Sequence, residues 1–132
     1  MVGYSGTPLI KKLGIKNGMR VSFLYSPDHY RALLGDLPDG LKEGCDGRID
    51  FTHAFFYDRT DFELELPTMM RAIARDGMIW ISWPKKASKV PTTMSEDIIR
   101  EVALPMGLVD VKVCAVDEVW SGLKLVIRKE LR

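Results

Sequence analysis

Two short, almost entirely apolar segments flank a segment with helical periodicity, and this pattern constrains the fold more than any other feature of the chain. Residues 51–57 and 78–83 are β-prone and carry no acidic or basic side chain except His53, as expected for strands buried on both faces of a sheet. Between them, apolar residues recur at intervals of three and four, which is typical of a helix with one packed face: Phe62, Leu66, Met69, Met70 and Ile73. A strand, a helix and a second strand in this order predict two parallel strands with a right-handed crossover.

The other predicted elements extend this unit into a single sheet. An apolar strand is predicted at residues 20–25, and two alternating strands at residues 109–115 and 123–127 are expected to pair antiparallel. Residues 36–48 are rich in Gly, Pro and Asp and predict a surface loop with room for one short edge strand. Helix starts are predicted where Thr60 precedes Glu63 and Thr93 precedes Glu96, because both pairs have the spacing of a capping box.

Length, charge and cysteine usage limit the class of protein. A chain of 132 residues fits one domain over residues 1–132, and a formal charge of +1 gives no general attraction to a polyanion or a membrane surface. Cys45 and Cys114 are far apart in sequence and form no redox or ligand pair. With no secretory pattern at the start and no apolar run of about 18 residues, we expect a cytoplasmic protein that binds neither membrane nor nucleic acid.

The order of the elements resembles the second half of the class I methyltransferase fold, in which the last strand inserts beside its neighbour. On this resemblance the second strand begins at Asp50, the third ends at Trp83-Pro84-Lys85, and residues 107–110 lead into the penultimate strand. The resemblance implies an α/β fold: a small, Rossmann-like domain of three layers. Its mostly parallel sheet would have about five strands in the order 1-2-3-5-4, with a C-terminal antiparallel pair.

Three segments also resemble the signature segments of a family of small, uncharacterised bacterial proteins. They are GYSGTPL at residues 3–9, WPKK at residues 83–86 and DEVWSGL at residues 117–123. That family has no established activity to carry over, so this resemblance implies a fold and not a function.

The turn after the first strand departs from the methyltransferase pattern. Cofactor-binding members place a glycine-rich turn there, because glycine lets the backbone come close to the cofactor. Residues 25–29 of this chain read YSPDH, with no glycine, a proline that removes an N–H donor and an aspartate that repels anions. The sequence therefore predicts that S-adenosylmethionine is not a ligand.

A ligand site is expected where open α/β sheets form theirs, at the carboxyl ends of the strands. The candidate ligand-binding residues are Ser26, His29, Lys85, Lys86, Ser88 and Lys89. Together they are suited to a small anion such as a phosphate or a nucleotide-like molecule, assisted by the amino end of the helix after Thr93. The alternative is a solvated lysine loop without a ligand.

Other polar residues have structural as well as functional interpretations. His53, within a strand, is interpreted as a hydrogen-bonded packing residue. Asp117 and Glu118 can either serve acid–base or cation chemistry or cap backbone donors of a turn, with Trp120 covering the sheet edge. The two histidines and two cysteines have no zinc-site spacing, and no nucleophile elbow or phosphate loop occurs, so no metal is expected.

These observations favour a non-catalytic module that binds a small anion or a protein partner near Lys85, Lys86 and Lys89. The alternative is an enzyme similar to S-adenosylmethionine-dependent methyltransferases, with an altered cofactor loop at residues 25–29. A subunit that pairs with itself is a third hypothesis, and the arm at residues 3–7 would either cover a pocket, pack on a second subunit or fray.

Overall fold

A computed structural model describes residues 7–44 and 47–132, which form one sheet between two layers of helix. The helices are α1 (Leu9–Leu13), α2 (Tyr30–Leu34), α3 (Arg59–Ala72) and α4 (Glu96–Ala103), with short 3-10 helices at Lys86–Ser88, Leu104–Met106 and Lys129–Leu131. The strands are β1 (Arg20–Leu24), β2 (Lys42–Glu43), β3 (Ile49–Phe55), β4 (Ile73–Pro84), β5 (Leu108–Ala115) and β6 (Trp120–Ile127).

The sheet order is β2-β1-β3-β4-β6-β5. Strands β2, β1, β3 and β4 run parallel, and β6 pairs antiparallel with both β4 and β5. The five strands predicted from the sequence therefore lie in the predicted order, with the last strand inserted beside its neighbour. The difference is one additional edge strand, β2, which falls in the region where a short edge strand was expected.

The two faces of the sheet bury separate apolar clusters. Helices α3 and α4 cover one face, where Phe62 and Ile99 pack on alternate residues of β4 such as Ile79 and Ile81. Helices α1 and α2 cover the other face, where Leu13 packs with Trp80. Because strand residues alternate between the two faces, both faces of the central strands are apolar, as the sequence predicted.

A chain of buried hydrogen bonds joins α2, β3 and β4. The Tyr30 hydroxyl lies 2.7 Å from Nδ1 of His53, and Nε2 of His53 lies 2.7 Å from the Ser82 hydroxyl. Both His53 and Ser82 are fully buried, and burial lowers the pKa of His53 from 6.5 to about 3. His53 is therefore a neutral, hydrogen-bonded core residue, which confirms its interpretation as a packing residue.

Helix ends differ from the predictions in two places. Helix α4 begins after Ser95, whose hydroxyl accepts a hydrogen bond from the Ile98 amide, whereas the predicted cap Thr93 accepts one from the Arg59 amide. Helix α3 begins one residue before Thr60, after an Asp58 that makes no side-chain cap bond. In both cases tertiary contacts override the local capping pattern.

Some sequence-based expectations lie outside the described residues, namely those for Cys45 and for residues 3–6 of the amino-terminal arm. Cys114 is half-buried, and burial raises the pKa of its thiol, as expected for a packed small residue. None of the helices in residues 7–44 and 47–132 is long and apolar enough to span a bilayer.

Candidate functional site

A cleft of about 370 Å³ opens at the carboxyl ends of β1 and β3. Its lining combines four aromatic rings, one aliphatic side chain and two carboxylates: Tyr25, Phe55, Phe56, Tyr57, Asp61, Leu64 and Glu65. Tyr25 directly follows β1, Phe55 ends β3, and the carboxylates belong to the first turns of α3. No lysine or arginine is among the lining residues, so the cleft is aromatic and acidic.

Tyr25 forms one wall of this cleft in an unusual backbone conformation. Its φ is 59°, in the left-handed region that residues other than glycine rarely adopt. The residue is 60% exposed, and its ring packs against that of Phe56, with 5.7 Å between ring centroids. Residues held in such conformations cluster at ligand sites, because the surrounding structure must maintain them against the cost in free energy.

Asp61 and Glu65 are one helical turn apart, so both side chains project from the same face of α3. The charges of these two carboxylates act on Tyr25. Hydrogen bonding to Glu65 raises the pKa of the Tyr25 phenol, and partial burial and the charges of Glu65 and Asp61 raise it further. The phenol therefore stays protonated and donates toward the carboxylate at neutral pH.

His29 and Asp117 form a hydrogen-bonded contact at the same edge of the sheet. Nε2 of His29 lies 2.7 Å from a carboxylate oxygen of Asp117, whose other oxygen accepts hydrogen bonds from the amides of Val119 and Trp120. Burial opposes the charge of Asp117, but the Trp120 amide, His29 and the Val119 amide together lower the pKa of its carboxyl. The prediction that an acidic side chain caps this turn is confirmed.

Trp120 connects this turn to the cleft. Its ring lies 5.1 Å from Phe55 and 5.1 Å from Tyr57, both of which line the cleft. Trp120 is buried, but it begins β6, which lies between β4 and β5, so it does not cover an edge strand as predicted. The β5–β6 turn therefore packs against two of the aromatic residues that line the cleft.

The structure does not gather the six candidate residues predicted from the sequence around one point. His29 contacts Asp117, whereas the Lys85 amide donates to the Val119 carbonyl, so the β5–β6 turn lies between the two parts of the predicted site. Ser88 is engaged within its own loop, since its hydroxyl donates to the Lys85 carbonyl and accepts from the Val90 amide.

Lys86 and Lys89 line a second cleft, of about 410 Å³, together with Trp83, Met94 and the cap residue Ser95. Lys89 ends the adjoining 3-10 helix in the left-handed conformation, with φ of 62°. Anion binding at this loop stays a prediction. Ser26, the remaining candidate, is half-buried beside Tyr25 at the end of β1.

The acidic side of the aromatic cleft was not predicted from the sequence. The apolar period of α3 located its packed face, but the spacing of Asp61 and Glu65 by four residues also places two carboxylates on one polar face. That signal was present in the sequence, although only the fold shows that this face adjoins the end of β1. Across residues 7–44 and 47–132, no group of three or more potential ligand side chains could hold a metal ion.

Comparison with solved structures assigns the fold. DhpI in complex with SAH (S-adenosylhomocysteine) matches with a TM-score of 0.63 at 14% identity, covering 92% of this chain and 83% of that one. The chain has a methyltransferase-like fold. A SAM-dependent (S-adenosylmethionine-dependent) methyltransferase from Aquifex aeolicus matches with a TM-score of 0.59 at 17% identity, over 90% of this chain and 87% of that one.

A third similar structure is magnesium protoporphyrin IX methyltransferase (ChlM) from Synechocystis PCC 6803 with bound SAH. It has a TM-score of 0.58 and 10% identity, and covers 92% of this chain and 78% of that one. No family model and no curated protein matches the sequence. Membership of the family of small bacterial proteins therefore stays a prediction, while the broader methyltransferase-like fold is confirmed.

The prediction that S-adenosylmethionine is not a ligand is contradicted by these comparisons, because one of the similar structures is a SAM-dependent methyltransferase and two of those described hold SAH. That expectation rested on the missing glycines after β1. In the structure, Tyr25 itself adopts the left-handed conformation that a glycine would supply, so the absence of glycine does not prevent a sharp turn at this position.

Proposed function

We propose that this protein binds S-adenosylmethionine in the cleft between Tyr25 and Glu65 and acts as a methyltransferase-like enzyme with an altered cofactor loop. The observation that carries the proposal is the aromatic and acidic lining of a cleft at the ends of β1 and β3. The shared fold supports the proposal. At such low sequence identity a fold alone does not indicate a function, so the proposal rests on the chemistry of the cleft.

The position of the cleft fits a ligand site. From β1 the chain passes to β2 on one side, and β3 lies on the other side of β1. The loops after β1 and β3 therefore diverge at this point, which is the topological switch point of the sheet. Ligands of open α/β sheets bind in the crevice that such diverging loops leave, and the packed rings of Tyr25 and Phe56 form one side of it.

The charge of the cleft fits a cation better than a phosphate. S-adenosylmethionine carries a positively charged sulfonium and an ammonium group, together with a planar adenine ring. Aromatic faces attract such cations and stack on planar rings, and carboxylates at Asp61 and Glu65 add direct electrostatic attraction. A phosphate would meet two negative charges there and no lysine or arginine.

When bound, S-adenosylmethionine supplies an electrophilic methyl group. In this interpretation Tyr25 and Tyr57 enclose the ligand, while Asp61 and Glu65 orient its positively charged end. The Tyr25 phenol, held protonated beside Glu65, donates a hydrogen bond and does not compete as a nucleophile.

Calorimetric titration with S-adenosylmethionine and with S-adenosylhomocysteine tests this proposal, because the second compound lacks the sulfonium charge. We expect Asp61→Asn with Glu65→Gln to weaken S-adenosylmethionine binding by about tenfold, equivalent to about 1.4 kcal/mol, and S-adenosylhomocysteine binding by less. The matched control is Glu118→Gln with Glu130→Gln, which removes two exposed carboxylates outside the cleft lining.

Two results would overturn the proposal. One is the absence of any heat of binding for both compounds at millimolar concentration. The other is an equal loss of affinity in the cleft variant and the control, which would show that net charge and not the cleft governs binding.

A further inference from the structure

Lysine side chains gather on the face of the sheet that α1 covers. Leu123 and Leu125 of β6 belong to the cluster under α3 and α4, so Lys124 between them faces the opposite side. Lys124 pairs in register with Trp80 of β4 on one side and with Lys112 of β5 on the other.

Two like charges thus stand directly opposite each other on neighbouring strands. Directly opposed residues on antiparallel strands have Cβ atoms about 5 Å apart, and like charges at such positions destabilise the sheet. Lys112 is exposed, with its ammonium 6.0 Å from the centre of the Trp80 ring, and Lys124 is half-buried. Exchanging either lysine for a neutral residue would remove this repulsion.

Helix α1 brings further positive charge to the same place. The Trp80 indole donates to the Leu13 carbonyl at the end of α1, which puts Lys12 and Lys16 beside this part of the sheet. Burial and the charges of Lys112 and Lys16 lower the pKa of Lys124. For Lys16, Lys112 and Lys124, no ion pair with a carboxylate occurs within the described parts of the chain.

The carboxylates of α3 and α4 lie over one face of the sheet, whereas the cluster of Lys12, Lys16, Lys112 and Lys124 lies on the other. A formal charge of +1 for the whole chain hides this separation. The lysine cluster is separate from the aromatic cleft, since none of its members lines that cleft.

We propose that this lysine cluster is a binding site for a compact polyphosphate. Lysine ammonium groups bind phosphate oxygens as point charges, and a bound polyanion would neutralise the opposed charges of Lys112 and Lys124. Neighbouring phosphates of a polyphosphate share a bridging oxygen, so their charges lie closer together than those of successive nucleotides. Lysines paired directly across two strands match that close spacing better than the extended backbone of a nucleic acid. This proposal is independent of the proposed function.

The test is calorimetric titration of the full chain with inorganic tripolyphosphate, orthophosphate and a single-stranded oligonucleotide. We expect tripolyphosphate to bind at least tenfold more tightly than orthophosphate, and Lys112→Gln with Lys124→Gln to reduce its affinity at least tenfold. The control, Lys42→Gln with Lys129→Gln, makes the same change in net charge at two exposed lysines elsewhere and should change the affinity by less than threefold.

Thermal unfolding without ligand supplies a second measurement. Since Lys112→Gln with Lys124→Gln relieves repulsion, its midpoint should equal or exceed that of the wild type, and a lower midpoint would contradict the argument from opposed charges. The proposal is also overturned if tripolyphosphate does not bind, if both double variants lose affinity equally, or if the oligonucleotide binds more tightly through the same lysines.

Discussion

The ring of Tyr25 packs against the ring of Phe56 across the ends of β1 and β3, with 5.7 Å between centroids and 55° between ring planes. This contact closes one side of the aromatic cleft. It depends on the left-handed conformation of Tyr25, because a residue with an ordinary φ would direct the chain and the ring elsewhere. The loop after β1 lacks glycine. It therefore contributes the side chain of Tyr25 to the wall of the cleft, where a glycine would leave the backbone exposed.

Replacing Tyr25 by glycine and by alanine separates the backbone strain from the function of the ring. Both variants lose the ring, but only glycine adopts a φ of 59° without a steric cost. We expect Tyr25→Gly to be more stable than Tyr25→Ala by about 1 kcal/mol in urea unfolding. Both should bind S-adenosylmethionine more weakly than the wild type.

Tyr25→Phe is the matched control for this comparison, since it keeps the ring and removes only the hydroxyl beside Glu65. Its ligand affinity should stay within a few-fold of the wild type. Equal stability of the glycine and alanine variants would show that the backbone at this position is not strained.

The stability of the protein should fall as the pH decreases from 7 to 5, because of His53. The unfolded chain binds a proton at this imidazole below its ordinary pKa of 6.5, whereas burial lowers the pKa in the folded state to about 3. The stabilisation from neutral His53 is therefore complete above pH 6.5 and is lost progressively below it. We expect a loss of about 2 kcal/mol in the free energy of unfolding over this interval, measured by urea unfolding at each pH.

His53→Gln isolates this effect, because glutamine retains polar groups in the core but does not titrate. Its free energy of unfolding should depend less on pH than that of the wild type between pH 7 and 5. If the two proteins show the same dependence, His53 is not the group responsible.

Ser82→Ala should destabilise the protein by about 1–3 kcal/mol, because it leaves Nε2 of His53 buried without a partner. The control is Ser121→Ala, at a half-buried serine on β6 whose side chain has no hydrogen bond within the described residues. Chemical unfolding of both variants measures the difference. Similar values for the two would mean that the chain of Tyr30, His53 and Ser82 contributes little to stability.

Lys86→Ala with Lys89→Ala should leave the affinity for S-adenosylmethionine unchanged, because these residues line a different cleft from the one around Tyr25. Titration of the same variant with inorganic phosphate tests the anion site predicted from the sequence at that loop. A loss of phosphate binding there, with no effect on S-adenosylmethionine, would establish two separate sites. A loss of S-adenosylmethionine binding would contradict the location proposed here for the cofactor.

The strands could be predicted from the sequence because each carries a pattern of its own, whereas their order in the sheet followed from the resemblance to the methyltransferase fold. The apolar runs around Phe51 and Ile79 indicate burial on both faces, and the alternation around Val111 and Leu125 indicates a covered and an open face. The intervening helix then requires that β3 and β4 run parallel, as they do. Local helix caps were predicted less well. Thr93 was predicted to cap α4, but its hydroxyl accepts a hydrogen bond from the Arg59 amide of α3.

The site could be predicted only in part, because its chemistry depends on contacts between distant segments. The sequence predicted a ligand site at the carboxyl edge of the sheet, and both the aromatic cleft and His29 lie at that edge. Its partner Asp117 is 88 positions away in the sequence, and no local sequence pattern predicts that contact. The left-handed conformation of Tyr25 is likewise imposed by the surrounding fold, whereas sequence rules assign such conformations to glycine.

Mapping ligand-induced changes in amide chemical shift by NMR tests the location of the cofactor site most directly. Titration of the isotopically labelled protein with S-adenosylhomocysteine should produce its largest changes at Tyr25, at Phe55 to Tyr57 and in the first turns of α3. Changes centred on residues 85–89, or no change at saturating concentration, would contradict the account.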